Sequence, residues 1–380
     1  MKRSAGILLC CVATLLAIGM VMVFSVISAQ GSTMSVGVRF LIRHLIWIGI
    51  GLAGLAVAWR TDYRKLEKYW TVTAAAALGL LVLVLIPGVG TKMHSARRWL
   101  RLGPIGIQPS ECAKLAVLVA VSALVARRRC HIRSFWRGVL PPMAVAAVAS
   151  VLIIAQPDFG TAVIVGALGA IVVLAAGAPL WPVAAAGVLG GAGVTLLVFR
   201  SPAKLERLLA FVNPWKYLDG AGYQVVHSLI ALGSGGISGR GLGASKQKLF
   251  FLPESSTDFL LAIVGEELGL IGTLAVILVF AVLIRQGLRI SEQAPDAFGS
   301  LLAFGITMMI TLQTVMHIAV VSASMPTKGI GLPFMSSGGS SLLVCMTGVG
   351  VLMSIAGRSP GAASDDIVPV NEREEIPVAP

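Results

Sequence analysis

The chain has 380 residues, of which 56% are hydrophobic and only 12% charged, and its mean hydropathy is +0.89. Soluble chains carry about 25% charged residues, so a soluble enzyme or regulator is excluded. The formal charge of +13 comes from 30 Lys and Arg against 17 Asp and Glu. No Lys/Arg-rich soluble segment accompanies it, which excludes a nucleic-acid partner and leaves the cytoplasmic bias of membrane loops as the plain reading.

A spanning helix needs about 20 apolar residues, and the continuous apolar runs number about ten. An outer-membrane barrel would show alternating segments instead. The fold class is therefore all-α, a polytopic integral membrane protein. Lys2 and Arg3 precede a run from Ala5 to Ser28 that is longer than a signal-peptide core, so it is read as a retained first span entering from the cytoplasm. Further spans are predicted near 41–59, 69–88, 109–126, 139–155, 159–178, 181–199, 258–284, 298–320 and 338–357. This threading returns both termini to the cytoplasm, with a membrane domain over 1–358 and a large extracytoplasmic loop at 200–257 between helices 7 and 8. The segment 359–380, with Glu372, Glu374 and Glu375 among scattered prolines, reads as a disordered cytoplasmic tail. Five cysteines, an odd number without metal-ligand spacing, predict neither a disulfide framework nor a zinc site.

Short cytoplasmic loops at 60–68, 127–137 and 285–289 carry several cations each, as the orientation rule requires. The opposite side departs from it: Lys92, Arg97, Arg98 and Arg101 share one short loop, Lys328 lies in another, and 200–257 adds Arg200, Lys204, Arg207, Lys216, Arg240, Lys246 and Lys248. Long loops cross regardless of charge, but the short loop needs another reason, and an anion-binding outer surface supplies it. Within the long loop, Leu205–Val212 has the pattern of an amphipathic helix at the membrane surface. The glycines Gly233, Gly235, Gly236, Gly239, Gly241 and Gly243 permit close backbone approach to a ligand, although no nucleotide fingerprint is present.

Ionisable residues in apolar surroundings are functional candidates. In Gln108-Pro109-Ser110-Glu111, Pro109 starts a helix, and Glu111 and Lys114, three apart, share a face; a structural ion pair and a catalytic role both fit. Asp158 in Gln156-Pro157-Asp158 fits a helix cap first and a functional carboxylate second. Asp258, in Pro253-Glu254-Ser255-Ser256-Thr257-Asp258, is either a helix-start residue favoured by the macrodipole or a carboxylate at the membrane surface that accepts a proton from a substrate hydroxyl. Glu266 and Glu267 follow about two turns below it, where pairing with an outer-loop cation is the modest expectation. The stretch 326–341 is apolar enough for membrane depth yet too rich in Gly, Ser and Pro for regular helix, so it is expected to line a polar cavity or turn within protein. There Ser336, Gly338 and Gly339 with Lys328 would form an anion nest.

These motifs together resemble the SEDS family (shape, elongation, division and sporulation) of polytopic peptidoglycan glycosyltransferases. The resemblance runs from the first span to about Arg358. It rests on Arg97-Arg98-Trp99, Gln108-Pro109-Ser110-Glu111 with Lys114, Gln156-Pro157-Asp158, Asn213-Pro214-Trp215, Gly222-Tyr223-Gln224, Gly241-Leu242-Gly243, Gln247-Lys248, the Pro253 to Phe259 group, Gly265-Glu266-Glu267-Leu268-Gly269, and Pro326 to Ser341. The stretch 241–248 is closer to the division and sporulation members than to the elongation member. The resemblance implies polymerisation of lipid II, a disaccharide-pentapeptide on undecaprenyl pyrophosphate, into β-1,4 glycan at the outer face of the bacterial cytoplasmic membrane during septal wall synthesis. It also implies a class B penicillin-binding protein transpeptidase and other division proteins as partners. The family's essential aspartate matches Asp258, which would deprotonate the sugar 4-hydroxyl as it attacks the anomeric carbon with inversion. Pyrophosphate leaves as an anion and calls for cations, for which Arg97, Arg98, Lys246, Lys248 and Lys328 are candidates, aided or not by a divalent magnesium or manganese ion. Glu111, Lys114, Asp158, Glu254, Glu266 and Glu267 would serve as supporting pairs or caps. Three positions depart from the family pattern, His227 for Gln, His317 for Asn and Ser337 for Tyr, and they bear on the fine shape of the cavity. A lipid II flippase would also use broken helices, but no inverted repeat is evident and the charges cluster at one edge. A non-catalytic division scaffold would not need Asp258 among cations.

Overall fold

In a computed structural model of the chain, every predicted apolar run is helical. The structure describes residues 2–30, 34–93, 96–102 and 105–358, so the expected tail at 359–380 lies outside the described residues. In chain order the helices are α1 (Lys2–Gln30), α2 (Met34–Arg60), the short α3 (Arg64–Lys68), α4 (Trp70–Leu85), α5 (Pro109–Arg127), α6 (Leu140–Ala155), α7 (Phe159–Ala175), α8 (Leu180–Phe199), α9 (Pro202–Val212), α10 (Tyr223–Gly235), α11 (Leu260–Glu292), α12 (Ala297–Val321) and α13 (Gly339–Gly357). Among the described residues eight helices are long and apolar enough to cross a membrane. The expected spans at 69–88 and 159–178 are apolar but shorter, at 16 and 17 residues. α4 stops early because Pro87 forces Ile86 into an extended conformation.

α5 and α13 form the centre of the bundle, with 78% and 83% of their apolar stretches buried, whereas only 11% of α8 is. α8 sits at the periphery against α7 and α9. At the end of the bundle away from Asp258, the Tyr63 hydroxyl donates to the Asp296 carboxylate, and Arg358 lies 3.6 Å from Asp62. These contacts tie α2, α12 and α13 together.

The short cationic loop is not a plain turn. It forms a three-stranded antiparallel sheet, β1 (Gly90–Met93), β2 (Ala96–Leu102) and β3 (Ile105–Ile107), with Thr91 opposite Trp99 and Leu100 opposite Ile107. The long loop contains α9, as its amphipathic pattern predicts, and then α10, which packs on α11.

α11 is broken inside its apolar length at Gly269, where φ is 69°. The segment after α10 fills the break. Arg240 and Gly241 donate their amides to the Glu266 and Glu267 carbonyls, and Leu270 and Ile271 donate to Gly236 and Ile237. An interrupted helix at membrane depth survives only when such partners satisfy its backbone. A Cβ on Gly269 would lie 2.3 Å from the Gly239 amide nitrogen, so this glycine serves close backbone packing. The same holds for Gly239, which corrects the expectation that the glycine-rich stretch as a whole approaches a ligand.

Candidate active site

A cavity of about 710 Å³ opens at the end of the bundle that carries the sheet, α9 and α10. β2 contributes Arg98 and Trp99, α5 Glu111 and Lys114, α9 Arg207, and α10 Gln224. The turn before α11 contributes Glu254, Thr257 and Asp258, and the irregular segment between α12 and α13 contributes Lys328 to Leu332 and Ser336.

The turn that presents Asp258 is tightly bonded. The Glu254 carbonyl accepts from the amides of Thr257, Asp258 and Phe259 at 3.1, 3.0 and 3.3 Å. Ser336 Oγ donates to the Thr257 carbonyl at 2.6 Å, and the Ser337 hydroxyl and amide both donate to the Ser256 carbonyl. Asp258 is half-buried, and no hydrogen bond or ion pair to its carboxylate forms among the described residues. Burial first, and the neighbouring Glu254 carboxylate second, push its acid up to about 7. Gly329 backs directly onto it, since a Cβ there would lie 3.1 Å from Asp258 Oδ2.

The cations of the cavity, other than the exposed Arg207, have partners or neighbours of their own. Arg98 donates from Nε to the Gln156 carbonyl at 3.0 Å and from Nη2 to the Pro157 carbonyl. Lys328 lies near Asp158; burial lowers its ammonium from the usual lysine value, and the Asp158 charge opposes that shift. Asp158 caps α7 by accepting from the Thr161 amide at 3.2 Å, and it also accepts from Gln108 Nε2 and Ser110 Oγ. Lys204, on α9, stands 4.1 Å from the Phe159 ring centroid. At the buried side of the cavity Lys114 Nζ pairs with Glu111 Oε2 at 2.7 Å, so this pair is both an ion pair and part of the wall.

Several sequence candidates lie elsewhere. Lys248, offered as a substrate cation, is buried with its Nζ 2.7 Å from Glu267 Oε1 and 2.8 Å from Ser25 Oγ. Glu267 also accepts from the Gly243 amide, and Glu266 accepts from Ser245 Oγ and the amides of Lys246 and Gln247. Arg240 approaches Glu266 to 3.7 Å. The two glutamates therefore anchor the 240–248 segment. Lys246 is exposed and, like Arg97, is not among the cavity-lining residues.

The anion nest is corrected too: the Ser336 and Ser337 amides are taken by the Leu332 and Ser256 carbonyls. Gly338 lines the cavity, but Gly339 lies under Trp47, where a Cβ would meet the indole at 2.2 Å. Arg207, Gln108, Gln224 and Gln313 line the cavity without having been singled out as site residues. Arg207 was visible only as a cation in an amphipathic helix, and Gln313 gave no signal.

The three departures from the family pattern are not cavity-lining residues, and two of them bond to segments that are. His227 Nδ1 is 2.7 Å from Gln247 Oε1, and Ser337 straps the Asp258 turn. His317 donates from Nδ1 to the Ile330 carbonyl at 2.9 Å, fixing the segment that backs Asp258. Among the described residues no three His, Cys, Asp or Glu side chains are grouped to hold a metal ion.

The family model described as "Cell cycle protein", which unites FtsW, RodA and SpoVE, matches residues 6–360. A probable peptidoglycan glycosyltransferase FtsW of Geobacter sp. (strain M18) is 37% identical over 96% of this chain and 100% of its own length. Stage V sporulation protein E of Bacillus subtilis is 38% identical over 93% of this chain and 98% of its own. Among solved structures, a chain of a peptidoglycan synthase complex that coordinates polymerization and crosslinking superposes with a TM-score of 0.73 at 27% identity, covering 92% of this chain and 96% of that one. The rod shape determining protein RodA of Thermus thermophilus superposes with a TM-score of 0.68 at 25% identity, over 92% and 96% of the two chains. By the reach of the family model and the identity to relatives along nearly its whole length, this multi-pass membrane protein belongs to the FtsW, RodA and SpoVE family.

Proposed function

We propose that the chain is an inverting peptidoglycan glycosyltransferase that polymerises lipid II into β-1,4 glycan strands at the outer face of the bacterial cytoplasmic membrane in septal wall synthesis. The observation that carries the chemistry is Asp258, a carboxylate with its acid raised to about 7, free of hydrogen bonds among the described residues and facing a cavity that also holds Arg98 and Lys328. A base poised near the working pH is best placed to accept a hydroxyl proton. Asp258 takes the proton of the acceptor sugar 4-hydroxyl as its oxygen attacks the donor's anomeric carbon. The anomeric C–O bond breaks and its electron pair leaves with the pyrophosphate. A hydrolytic glycosidase needs a second carboxyl to protonate its leaving oxygen, whereas an anionic leaving group is served by cations, here Arg98, Lys328 and Arg207.

The similarity to a peptidoglycan synthase complex supports a transpeptidase of the class B penicillin-binding type as partner, together with division proteins at the septum. The alternation of helices and the cationic loops at 60–68 and 127–137 support a cytoplasmic location for both termini. A flippase reading loses ground because Glu266 and Glu267, the carboxylates deepest in α11, are committed to anchoring the 240–248 segment.

The test is polymerisation of lipid II by the purified protein with its transpeptidase partner, comparing the parent with Asp258→Asn. Polymer from the parent and a loss of about a hundredfold or more in the folded variant is expected. Equal polymer from both overturns the role of Asp258, and none from the parent overturns the activity.

A further inference from the structure

Glu254 is the unusual residue of the catalytic turn. Its φ of 55° is left-handed, a region that glycine occupies at no steric cost and a glutamate does not. The turn is held at its backbone, where the Glu254 carbonyl receives the three amides and Ser336 and Ser337 strap the carbonyls that follow. A glycine would satisfy all of those bonds. What a glycine would not supply is the carboxylate, and Thr257 Oγ1 holds that group by donating to Glu254 Oε2 at 3.0 Å. Both Glu254 and Asp258 line the same cavity from one turn, four residues apart.

The other charged groups of the cavity are engaged elsewhere. Glu111 and Lys114, from α5, pair with each other. Arg98, from β2, is bound to the Gln156 and Pro157 carbonyls. Lys328, from the segment between α12 and α13, is within the electrostatic reach of Asp158. Arg207, from α9, is exposed.

From this arrangement, and resting on the assignment of Asp258 as the base, we infer that Glu254 is a positioning residue whose fixed negative charge keeps Asp258 proton-seeking at neutral pH. Glu254 touches no reacting atom and acts through Asp258. A carboxylate with the ordinary affinity of an exposed aspartate would be ionised at neutrality but a weak acceptor, and a like charge held beside it strengthens it.

The rate of an enzyme that needs Asp258 ionised rises with pH through the pKa of that group. Removing the Glu254 charge lowers that pKa, so the acidic limb of the rate profile moves to lower pH and the plateau falls. The experiment measures lipid II polymerisation by the protein with its transpeptidase partner, in vesicles, from about pH 5.5 to 8.5, for the parent, Glu254→Gln, Glu254→Asp and Asp258→Asn. Because Glu254 is exposed and screened, the limb is expected to move acidward by about half a unit to one unit in Glu254→Gln. In Glu254→Asp, which keeps the charge, it should stay near the parent's. A turn that merely lost its shape would lower the rate at every pH and leave the limb in place, and that result overturns the inference.

If Glu254→Gln polymerises too little for a rate profile, the Asp258 carboxyl is titrated in the folded variant by infrared difference against Asp258→Asn: a midpoint below the parent's is expected, and an unchanged midpoint overturns the inference. Full activity of Asp258→Asn would instead sink the assignment of the base itself, so the two failures are told apart.

Discussion

Replacing Lys248 with methionine tests whether this cation serves substrate or structure. The side chain is 3% exposed, and its ammonium sits 2.7 Å from Glu267 Oε1 and 2.8 Å from Ser25 Oγ. Methionine keeps most of the volume, so packing changes little. What remains is a buried Glu267 carboxylate without its counter-charge. Breaking a buried pair by removing one partner costs about 3–5 kcal/mol. Glu267 retains the Gly243 amide and the Ser25 hydroxyl as donors, which places the loss at the lower end, about 3 kcal/mol. At about 2 °C per kcal/mol for a chain of this size, the melting temperature should fall by about 6 °C. Lys248→Met with Glu267→Leu removes both charges and should recover about two thirds of that loss, the remainder being the orphaned Gly243 amide and Ser25 hydroxyl. The assay is thermal unfolding of the purified protein in lipid nanodiscs, paired with lipid II binding measured well below the melting transition. Binding by Lys248→Met should stay within about twofold of the parent, since no step of the affinity change passes through the substrate. An unchanged melting temperature combined with lost binding would refute the argument and return Lys248 to the substrate site.

Gly329→Ala sets a methyl 3.1 Å from Asp258 Oδ2 and should lower polymerisation by about tenfold to a hundredfold with melting unchanged; parental turnover would show that the carboxylate works in another orientation. Ser336→Ala removes the hydroxyl that binds the Thr257 carbonyl and the Leu332 amide, and should cost about 1–2 kcal/mol in unfolding free energy together with a lower rate, whereas parental values of both would deny the strap its role. Gly269→Ala puts a side chain at a φ of 69° and 2.3 Å from a backbone nitrogen, a destabilisation of about 2 kcal/mol or more; it is read as lost yield and a lowered melting temperature, and parental stability would contradict the break in α11.

The sequence was most legible where one residue's chemistry depends on its near neighbours. Apolar runs became helices, Leu205–Val212 became part of α9, and Asp158 became a cap through the Thr161 amide three residues on. Asp258 stood out because a carboxylate at the start of an apolar span is costly unless it has work to do. The cationic stretch 90–107 hid its strands because seven residues at most contribute to each, and pairing between them, not composition, creates the sheet. Gly269 likewise reads as one more small residue in a helix, since the amides that fill its gap come from 240–241. Sorting the lysines was also beyond local pattern. Lys248 and Lys328 both look like loop cations, yet one meets Glu267 and the other reaches the cavity, and only tertiary folding decides which.

That sorting determines how the site can work. A carboxylate base and a cluster of cations are in conflict when they meet, because a nearby positive charge lowers the carboxylate's proton affinity. Within the one cavity each cation but the exposed Arg207 has a partner or neighbour other than Asp258. Lys114 pairs with Glu111, Lys328 is influenced by the Asp158 charge, and Arg98 is turned toward carbonyls of the loop before α7. Asp258 is presented instead from a separate strapped turn whose only charged neighbour along the chain is Glu254. On the proposed reading, Asp258 supplies the base of this cavity, and Arg98, Lys328 and Arg207 supply its anion-binding charge. This is the arrangement required when a neutral hydroxyl loses a proton on one side of the forming bond and a pyrophosphate departs on the other. Moving a cation to the Asp258 wall should therefore impair catalysis even where it strengthens substrate binding, since added affinity that is equal in ground and transition states does not accelerate the chemical step.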